Sequence, residues 1–254
     1  MKDSIKMVVT DLDGTLLRDD KTISEYTASV IKALRAKGIL FTIATARPIR
    51  AVTEFLPFLE YDCAIYHNGA IVHDGKSPLD GFGIDNPGKT IHKILCDMPG
   101  SHIAVEANDA MFSNFDAERL WPGIQYEYTT DFSEVTFADK IIVEATSAAK
   151  CTMLSGYIPS DLYLIPSENS IAMIMNKNAK KSSGIASLAG AHGFGLDNVV
   201  AFGDDFNDID MLKACGFGVA VENALPEVKS FAEYICSSNM EDGVASWIEK
   251  NLLQ

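Results

Sequence analysis

Two aspartates close an apolar stretch near the beginning of the chain. The apolar run from Ile5 to Val9 predicts a short buried strand, and Asp11 and Asp13 follow it, one residue apart, just before Gly14. If the chain stays extended here, both carboxylates lie on the same side of it, about 6 to 7 Å apart along it. Gly14 permits a positive φ, so the chain can turn and aim N–H groups at an anion. A phosphoryl group fits between two such carboxylates.

Carboxylates in this arrangement can transfer a phosphoryl group. One attacks the phosphorus atom as a nucleophile and forms an aspartyl-phosphate, while the other gives a proton to the leaving oxygen and later takes one from water. A calcium loop is excluded, because its pattern needs a third oxygen ligand two residues past the second Asp, and Gly14 comes too early for the glycine that follows it. A polar turn after a strand remains an alternative interpretation of the pentapeptide by itself.

The segment Asp11-Leu12-Asp13-Gly14-Thr15 resembles the first motif of the haloacid dehalogenase-like phosphatases. Three further matches follow in the family's order and extend the resemblance over nearly the whole chain: Ala44-Thr45-Ala46-Arg47-Pro48, Lys177-Asn178-Ala179-Lys180-Lys181-Ser182 and Gly203-Asp204-Asp205-Phe206-Asn207-Asp208. The chain is most similar to the Cof-type branch, in which an α/β cap is inserted between the second and third motifs. Two glycines usual in the family are replaced by Ala46 and Ser182, both small, so these departures concern substrate fit more than the reaction.

The resemblance implies a Mg²⁺-dependent phosphatase that acts on small phosphorylated metabolites, with sugar phosphates as the leading class. It makes Asp11 the nucleophile and Asp13 the general acid and base. Asp11 and Asp204 offer the hard oxygen ligands that Mg²⁺ prefers. The remaining implied roles are metal binding by the backbone carbonyl of Asp13, orientation of metal-bound waters by Asp208, and phosphate binding by Leu12, Thr45, Ala46, Lys181 and Asn207. For this chemistry we expect acidic neighbours to raise the pKa of Asp13, while Asp11 stays ionised against Mg²⁺ and Lys181.

Several of these residues have simpler interpretations. Lysines are usually exposed to solvent, and Lys177 and Lys180 compete with Lys181 for the catalytic role, although the motif register favours Lys181. Arg47 could contact the substrate phosphate or pair with a surface acid, and the sequence leaves both open. The acidic run that begins at Asp204 could also complement a helix dipole, an effect of only about 0.3 to 1 kcal/mol.

The order of predicted elements indicates an α/β fold with a doubly wound parallel sheet. Strand and helix patterns alternate over the first 66 residues, and the same rhythm returns after the lysine motif. Cys63 to Tyr66 is predicted as a strand, and Ser24 as the N-cap of a helix with apolar residues at helical spacing: Tyr26, Val30, Ile31 and Leu34. The segment between them has hairpin turns and its own short strands and helices. We therefore predict a catalytic core from residues 1–81 and 177–254, with residues 82–176 as an inserted α/β cap that selects the substrate.

Composition limits the partners of the chain. Its 254 residues carry a formal net charge of −14, which argues against nucleic acid, since phosphate backbones are bound through clustered Lys and Arg. No apolar run approaches the roughly 20 residues of a membrane span, and no signal-peptide pattern is present. The five cysteines form no C-x-x-C pair, which is typical of reduced thiols. We expect a cytoplasmic enzyme, while the oligomeric state cannot be read from the sequence.

Two other functions remain open. A phosphomutase or phosphotransferase of the same superfamily would use the same motifs but pass the phosphoryl group to another acceptor. A non-catalytic protein that binds a phosphorylated metabolite would need no acid/base carboxylate. The presence of both Asp11 and Asp13 with Lys181 therefore favours the enzyme.

Overall fold

The computed structural model describes residues 4–167 and 170–254. Its strands are β1 Met7–Thr10, β2 Leu40–Ala44, β3 Cys63–Tyr66, β4 Ile71–Asp74, β5 Ser77–Asp80, β6 Ile84–Asp85, β7 Ile103–Ala107, β8 Ala110–Ser113, β9 Glu127–Tyr128, β10 Phe137–Ala138, β11 Lys140–Glu144, β12 Leu162–Ser167, β13 Ile171–Asn176, β14 Val199–Gly203, β15 Phe217–Val221 and β16 Tyr234–Cys236. Its α-helices are α1 Glu25–Ala36, α2 Ile49–Phe55, α3 Pro87–Asp97, α4 Ala148–Ser155, α5 Lys181–Ala191, α6 Ile209–Ala214, α7 Pro226–Lys229 and α8 Gly243–Ile248.

The chain divides into two compact units. The core unit consists of the residues up to Gly81 together with Lys180–Gln254, and the inserted unit is Phe82–Ala179. Each unit has its own hydrophobic core. None of the helices within residues 4–167 and 170–254 combines the length and the apolar character that crossing a bilayer requires.

An eight-stranded sheet organises the core unit, in the order β16-β15-β14-β1-β2-β3-β4-β5. The pairs from β16 to β3 are parallel, and the β4–β5 hairpin adds two antiparallel strands at one edge. Strands β1, β3 and β14 are buried along their whole length, as expected for a sheet covered on both faces. The predicted α/β fold with a doubly wound parallel sheet is confirmed, with an antiparallel extension.

The sheet extends from β1 in two directions. On one side the chain continues from β1 to β2, and on the other side, later in the sequence, it continues from β14 to β15. Because parallel crossovers are right-handed, α1 and α6 lie on opposite faces of the sheet. Helix α1 begins after Ser24, whose hydroxyl accepts the N–H of Thr27, and it buries Val30, Ile31 and Leu34. The strand order therefore reverses at β1, which is where open α/β sheets bind ligands.

The inserted unit contains a six-stranded sheet in the order β12-β13-β11-β7-β8-β9 and a separate β6–β10 pair. Its pairs are antiparallel except for β8 with β9. Helix α3 buries Ile91 and Ile94 in the core of this unit, and α4 buries Leu154. Two of its pairs, β7–β8 and β12–β13, are hairpins of consecutive strands, whereas β11 joins strands that are distant in the sequence.

Some local predictions differ from the structure. Strand β1 ends at Thr10 and the chain bends after Leu12, whose carbonyl accepts the N–H groups of Thr15 and Leu17, so the two motif aspartates do not share one extended strand. Tyr26 was predicted on the apolar face of α1 but is exposed and donates its hydroxyl to Glu249. Strand β16 and helix α7 were not predicted, since both are very short.

Candidate active site

The carboxyl ends of three neighbouring parallel strands carry the first candidate residues. Asp11 follows β1, Thr45 follows β2 and Asp204 follows β14. Because these strands are parallel and adjacent, the three residues lie at one edge of the sheet. Lys181 joins them from the first position of α5. Thus segments far apart in the sequence form a single cluster inside the core unit.

Lys181 is the charged centre of this cluster. Its side chain is fully buried, and its Nζ donates to Asp11 Oδ1 and to Asp208 Oδ1, each at 2.6 Å. Burial alone would lower the pKa of Lys181, but the two carboxylates outweigh it and raise the pKa above its ordinary value. The neighbouring Lys177 and Lys180 are exposed. Of the three lysines in the motif, Lys181 is the one whose Nζ donates to the carboxylate of Asp11.

Asp208 holds the acidic loop together. It is fully buried, and its Oδ2 accepts the N–H groups of Asp204 and Asp205 at 2.9 and 3.1 Å. Its other oxygen accepts from Lys181. A Cβ on Gly203 would lie 2.4 Å from the Cβ of Asp208, so only glycine fits at the end of β14. The role in orienting metal-bound waters, which the resemblance implies for Asp208, stays a prediction.

Asp204 is fixed by the first motif. Thr15 Oγ1 donates to Asp204 Oδ1 at 2.5 Å. Gly14 has φ +80°, and a Cβ at this position would lie 2.5 Å from Asp204 Oδ2. Burial raises the pKa of Asp204 to about 6, although the Thr15 hydroxyl opposes this shift. The Gly-Thr pair thus allows the carboxylate to approach the first motif closely.

Carboxylate oxygens of Asp11, Asp204 and Asp208 lie within 4.8 Å of one another. A set of three hard oxygen donors fits a divalent cation such as Mg²⁺ or Mn²⁺. Burial raises the pKa of Asp11 to about 8, with Lys181 acting against it and Asp208 adding to it. The expectation that Asp11 is ionised when it faces both Mg²⁺ and Lys181 stays a prediction. A bound cation would favour the charged form and lower this pKa.

Asp13 is held by two cations. Arg47 forms a bidentate pair with it, Nε to Oδ2 and Nη2 to Oδ1, both at 2.6 Å, and Lys21 Nζ donates to Oδ1 at 2.7 Å. Burial acts to raise the pKa of Asp13, but hydrogen bonds from Arg47 and Lys21 outweigh it and hold the pKa below its ordinary value. The prediction that the pKa of Asp13 is raised is therefore wrong here, because cations rather than carboxylates surround this side chain.

The remaining candidates surround the second motif. Thr45 is buried, and its Oγ1 accepts the N–H of Arg47 at 3.1 Å, while its carbonyl accepts the N–H of Asn68 at 2.9 Å. The amide of Asn207 donates to Asn68 Oδ1 at 3.1 Å. Leu12 and Ala46, the two backbone candidates, directly follow Asp11 and Thr45 at the ends of β1 and β2.

Three residues that shape the cluster were not predicted as site residues: Thr15, Lys21 and Asn68. Thr15 belongs to the first motif, and a hydroxyl directly after a turn glycine was a signal for its contact. Asn68 was noted as part of the Asn68-Gly69 turn and of the Cof-type resemblance, with no role in the site, and the structure gives it a positive φ of 54°. Lys21 gave no signal, because only the turn between β1 and α1 brings it to Asp13.

Comparison with known proteins agrees with this geometry. A family model described as haloacid dehalogenase-like hydrolase matches residues 8–248. The chain is 28% identical to the 5-amino-6-(5-phospho-D-ribitylamino)uracil phosphatase YitU of Bacillus subtilis, over 96% of each protein. It is 27% identical to the phosphatase of the same name, YbjI, of Escherichia coli, over 98% of this chain and 97% of that protein. The crystal structure of SMU.1108c from Streptococcus mutans superposes with a TM-score of 0.84 at 25% identity, covering 98% of this chain and all of that one.

The family match covers most of the chain, including all four motifs and the whole of the site described above. The similarity to the two curated phosphatases extends over nearly their full lengths. The chain belongs to the haloacid dehalogenase-like hydrolases, in the Cof-type phosphatase branch that its motifs resemble.

Proposed function

We propose that this chain is a Mg²⁺-dependent phosphomonoesterase that works through an aspartyl-phosphate on Asp11. The observation that carries the proposal is the fully buried ammonium of Lys181, shared between Asp11 and Asp208. Burying a lysine is costly unless it neutralises anions, and this one lies next to the carboxylate that would attack a phosphate. Its charge offsets the repulsion between two anions.

In the first step a carboxylate oxygen of Asp11 forms a bond to phosphorus, and the bond from phosphorus to the ester oxygen breaks. Asp13 gives its proton to that leaving oxygen. In the second step Asp13 takes a proton from a water molecule, which attacks phosphorus and releases inorganic phosphate together with the Asp11 carboxylate. Thr45, Lys181, the amide of Asn207 and the N–H groups of Leu12 and Ala46 would hold the phosphate oxygens.

Asp13 must carry a proton to begin this sequence, whereas its contacts with Arg47 and Lys21 favour the ionised form. We propose that the substrate phosphate draws the Arg47 guanidinium away from Asp13, since phosphate offers the same bidentate acceptor as a carboxylate. Without that pair the pKa of Asp13 rises. Arg47 then pairs with Asp13 when the site holds no substrate, and it contacts the phosphate when substrate is bound.

The donor set fits the metal in this proposal, because Mg²⁺ prefers oxygen ligands and the three carboxylates lie close together. The side chains of Asp11 and Asp204 and the carbonyl of Asp13 would hold the ion, with Asp208 supporting them through the loop backbone. When bound, the ion neutralises charge on the phosphoryl group. It also favours the ionised form of Asp11, which the nucleophile requires.

We further propose that the substrate is a phosphorylated sugar or sugar alcohol and that the inserted unit selects it. Two similar proteins, YitU and YbjI, are named for a substrate with a phosphate on a ribityl chain. Both are similar to this chain over nearly their full lengths, so the similarity includes the inserted unit. That compound and simple pentose and hexose phosphates are the first to test.

The test measures phosphate release from a panel of sugar, nucleotide and cofactor phosphates, with Mg²⁺ and with EDTA. We expect metal-dependent release that is lost in Asp11→Asn, while Asp13→Asn slows turnover strongly or traps the phosphorylated enzyme. The matched control is Asp197→Asn, an exposed aspartate outside the site, which should keep full activity. Turnover that survives in a clean Asp11→Asn preparation would refute the mechanism. Isomerised sugar phosphate in place of free phosphate would instead indicate a mutase.

A further inference from the structure

A second cluster of metal-ligating side chains lies elsewhere in the core unit. It consists of Cys63, Asp74 and His192. Cys63 is the first residue of β3 and is paired in register with Asp74, the last residue of β4. His192 follows the last residue of α5. Three separate elements therefore bring a thiol, a carboxylate and an imidazole to one place.

The two distances from Asp74 to its neighbours in this cluster match tetrahedral coordination. Asp74 Oδ1 lies 3.4 Å from Cys63 Sγ and 3.2 Å from His192 Nε2, and all three ligand atoms lie within 4.8 Å of one another. Zn²⁺ binds sulfur at about 2.3 Å and nitrogen or oxygen at about 2.0 to 2.2 Å, which places neighbouring ligand atoms roughly 3.3 to 3.6 Å apart. Both Asp74 distances thus already fit a shared ion, and the third ligand pair lies within 4.8 Å.

Burial in the cluster suits a site that opens to water on one side. Cys63 is fully buried, whereas the side chains of Asp74 and His192 are 42% and 30% exposed. An ion could enter from the side of these two residues and keep a water molecule as its fourth ligand. A buried thiol would then anchor the ion at the inner end of the site.

Thr42 supplies an independent observation. Its hydroxyl is fully buried and has no hydrogen-bond partner among the residues that the structure describes. Thr42 pairs with Cys63 across β2 and β3. The hydroxyl therefore gains an acceptor when the thiol is deprotonated by a metal.

We propose that Cys63, Asp74 and His192 form a cation site for a borderline transition metal, with Zn²⁺ as the best match. A thiolate and an imidazole favour Zn²⁺ over Mg²⁺, which prefers oxygen ligands alone. On binding, the Cys63 S–H proton is released to solvent and a sulfur–zinc bond forms, while His192 binds as the neutral imidazole. This site does not depend on the proposed phosphatase function.

The cation site and the candidate active site are at opposite ends of the same elements. Helix α5 begins with Lys181 and spans 11 residues, about 16 Å, before it reaches His192. Strand β3 runs from Cys63 towards Asn68, which contacts Thr45. A metal here would connect α5 to β3 and β4 and stabilise the core unit, and we expect no direct part in the chemistry.

The experiment uses Co²⁺ as a spectroscopic substitute for Zn²⁺, because a thiolate ligand gives Co²⁺ an intense near-ultraviolet charge-transfer band. The full chain is treated with a chelator, kept reduced, and titrated with Co²⁺ and then with Zn²⁺. We expect one equivalent of Co²⁺ to produce the band, Zn²⁺ to abolish it and to raise the melting temperature, and Mg²⁺ to do neither. The acidic cluster contains no thiol, so it cannot produce this signal.

Variants assign the ligands. Cys63→Ser should lose the band, and His192→Ala should weaken Co²⁺ binding by at least about tenfold. The matched control is Cys96→Ser, since Cys96 Sγ also lies 3.4 Å from a histidine, His92 Nε2, but that pair has only two ligands. Cys96→Ser should keep the band. His192 lies at the exposed end of a helix, so its variant decides the question even if Cys63→Ser does not fold.

Three outcomes would overturn the proposal. The first is no charge-transfer band in the wild-type protein at one equivalent of Co²⁺. The second is a band that persists in Cys63→Ser or disappears in Cys96→Ser. The third is unchanged Co²⁺ affinity in His192→Ala, since a three-ligand site cannot lose its imidazole without cost.

Discussion

Replacing Lys181 by methionine tests the electrostatic centre of the site. Its ammonium makes two contacts of 2.6 Å with buried carboxylates. At an effective dielectric constant of about 20, each contact corresponds to about 6 kcal/mol of attraction. Methionine keeps most of the volume but leaves Asp11 and Asp208 without a cation. Asp11 can respond by binding a proton, which limits the loss, so we expect Lys181→Met to lower the free energy of unfolding by about 3 to 5 kcal/mol.

The loss of stability in Lys181→Met should grow as the pH rises. The pKa of Asp11 is about 8 in the folded wild-type protein and about 3.9 in an unfolded chain, so the folded state binds more protons between these values and stability falls as pH rises. In the wild type this fall ends near pH 8. In Lys181→Met the pKa of Asp11 is higher still, so the fall continues. The difference in the free energy of unfolding between the wild type and Lys181→Met should grow by up to about 1.4 kcal/mol per pH unit above pH 8.

Urea unfolding at pH 7, 8 and 9 measures this effect. In a Trp121→Phe background the only tryptophan is Trp247, which packs against Phe202 in the core unit and reports on that unit. Lys180→Met is the matched control, because Lys180 is exposed and its loss should change stability by less than about 0.5 kcal/mol. A loss below about 1 kcal/mol in Lys181→Met, or a difference from the wild type that narrows above pH 8, would refute this account of the site.

Two other substitutions test the support of Asp204. Gly14→Ala should lower stability by about 1 to 3 kcal/mol and weaken metal binding, because the new Cβ would lie 2.5 Å from Asp204 Oδ2 at a φ of +80°. Gly38→Ala is its control in thermal unfolding, since Gly38 has a φ of +76° with no atom within 4 Å, and equal losses would show that only backbone strain matters. Thr15→Val removes the hydroxyl that opposes the raised pKa of Asp204, so that pKa should rise above about 6 and the carboxyl should keep its proton to higher pH. Calorimetric titration with Mn²⁺ should then show about a tenfold weaker affinity at pH 6 and a smaller loss at pH 8, whereas equal losses at both values would contradict the proposed role.

The local sequence determined much of the fold. Strand β3 was predicted at its observed bounds, and the start of α1 followed from Ser24, because a capping hydroxyl next to apolar residues at helical spacing is a local signal. Strand β16 and helix α7 of the core unit were not predicted from the sequence. Strand β3 is a run of four buried apolar residues, whereas β16 has three residues with Ile235 exposed and α7 buries only Val228, so neither gives a clear apolar run or a periodic pattern.

The candidate site was also readable in part. The positions of Asp11, Thr45 and Asp204 at one sheet edge followed from strand patterns, because parallel strands bring their carboxyl ends together. The pKa shifts of the two aspartates of the first motif did not follow from the sequence. The ionisation of each carboxyl depends on the charges that face it and on its burial, and these involve residues far away in the sequence, such as Lys181, 170 positions from Asp11.

The sequence by itself therefore determined the type of chemistry, since the residue types and their order along the chain are enough to identify the family and the groups that can react. The tertiary structure decided how those groups are paired. It buries Lys181 between two carboxylates, places Arg47 and Lys21 on Asp13, and brings Cys63, Asp74 and His192 together although no sequence motif connects them. The physical reason is that charge interactions depend on distance and burial in space, and the spacing of residues along the chain does not specify either.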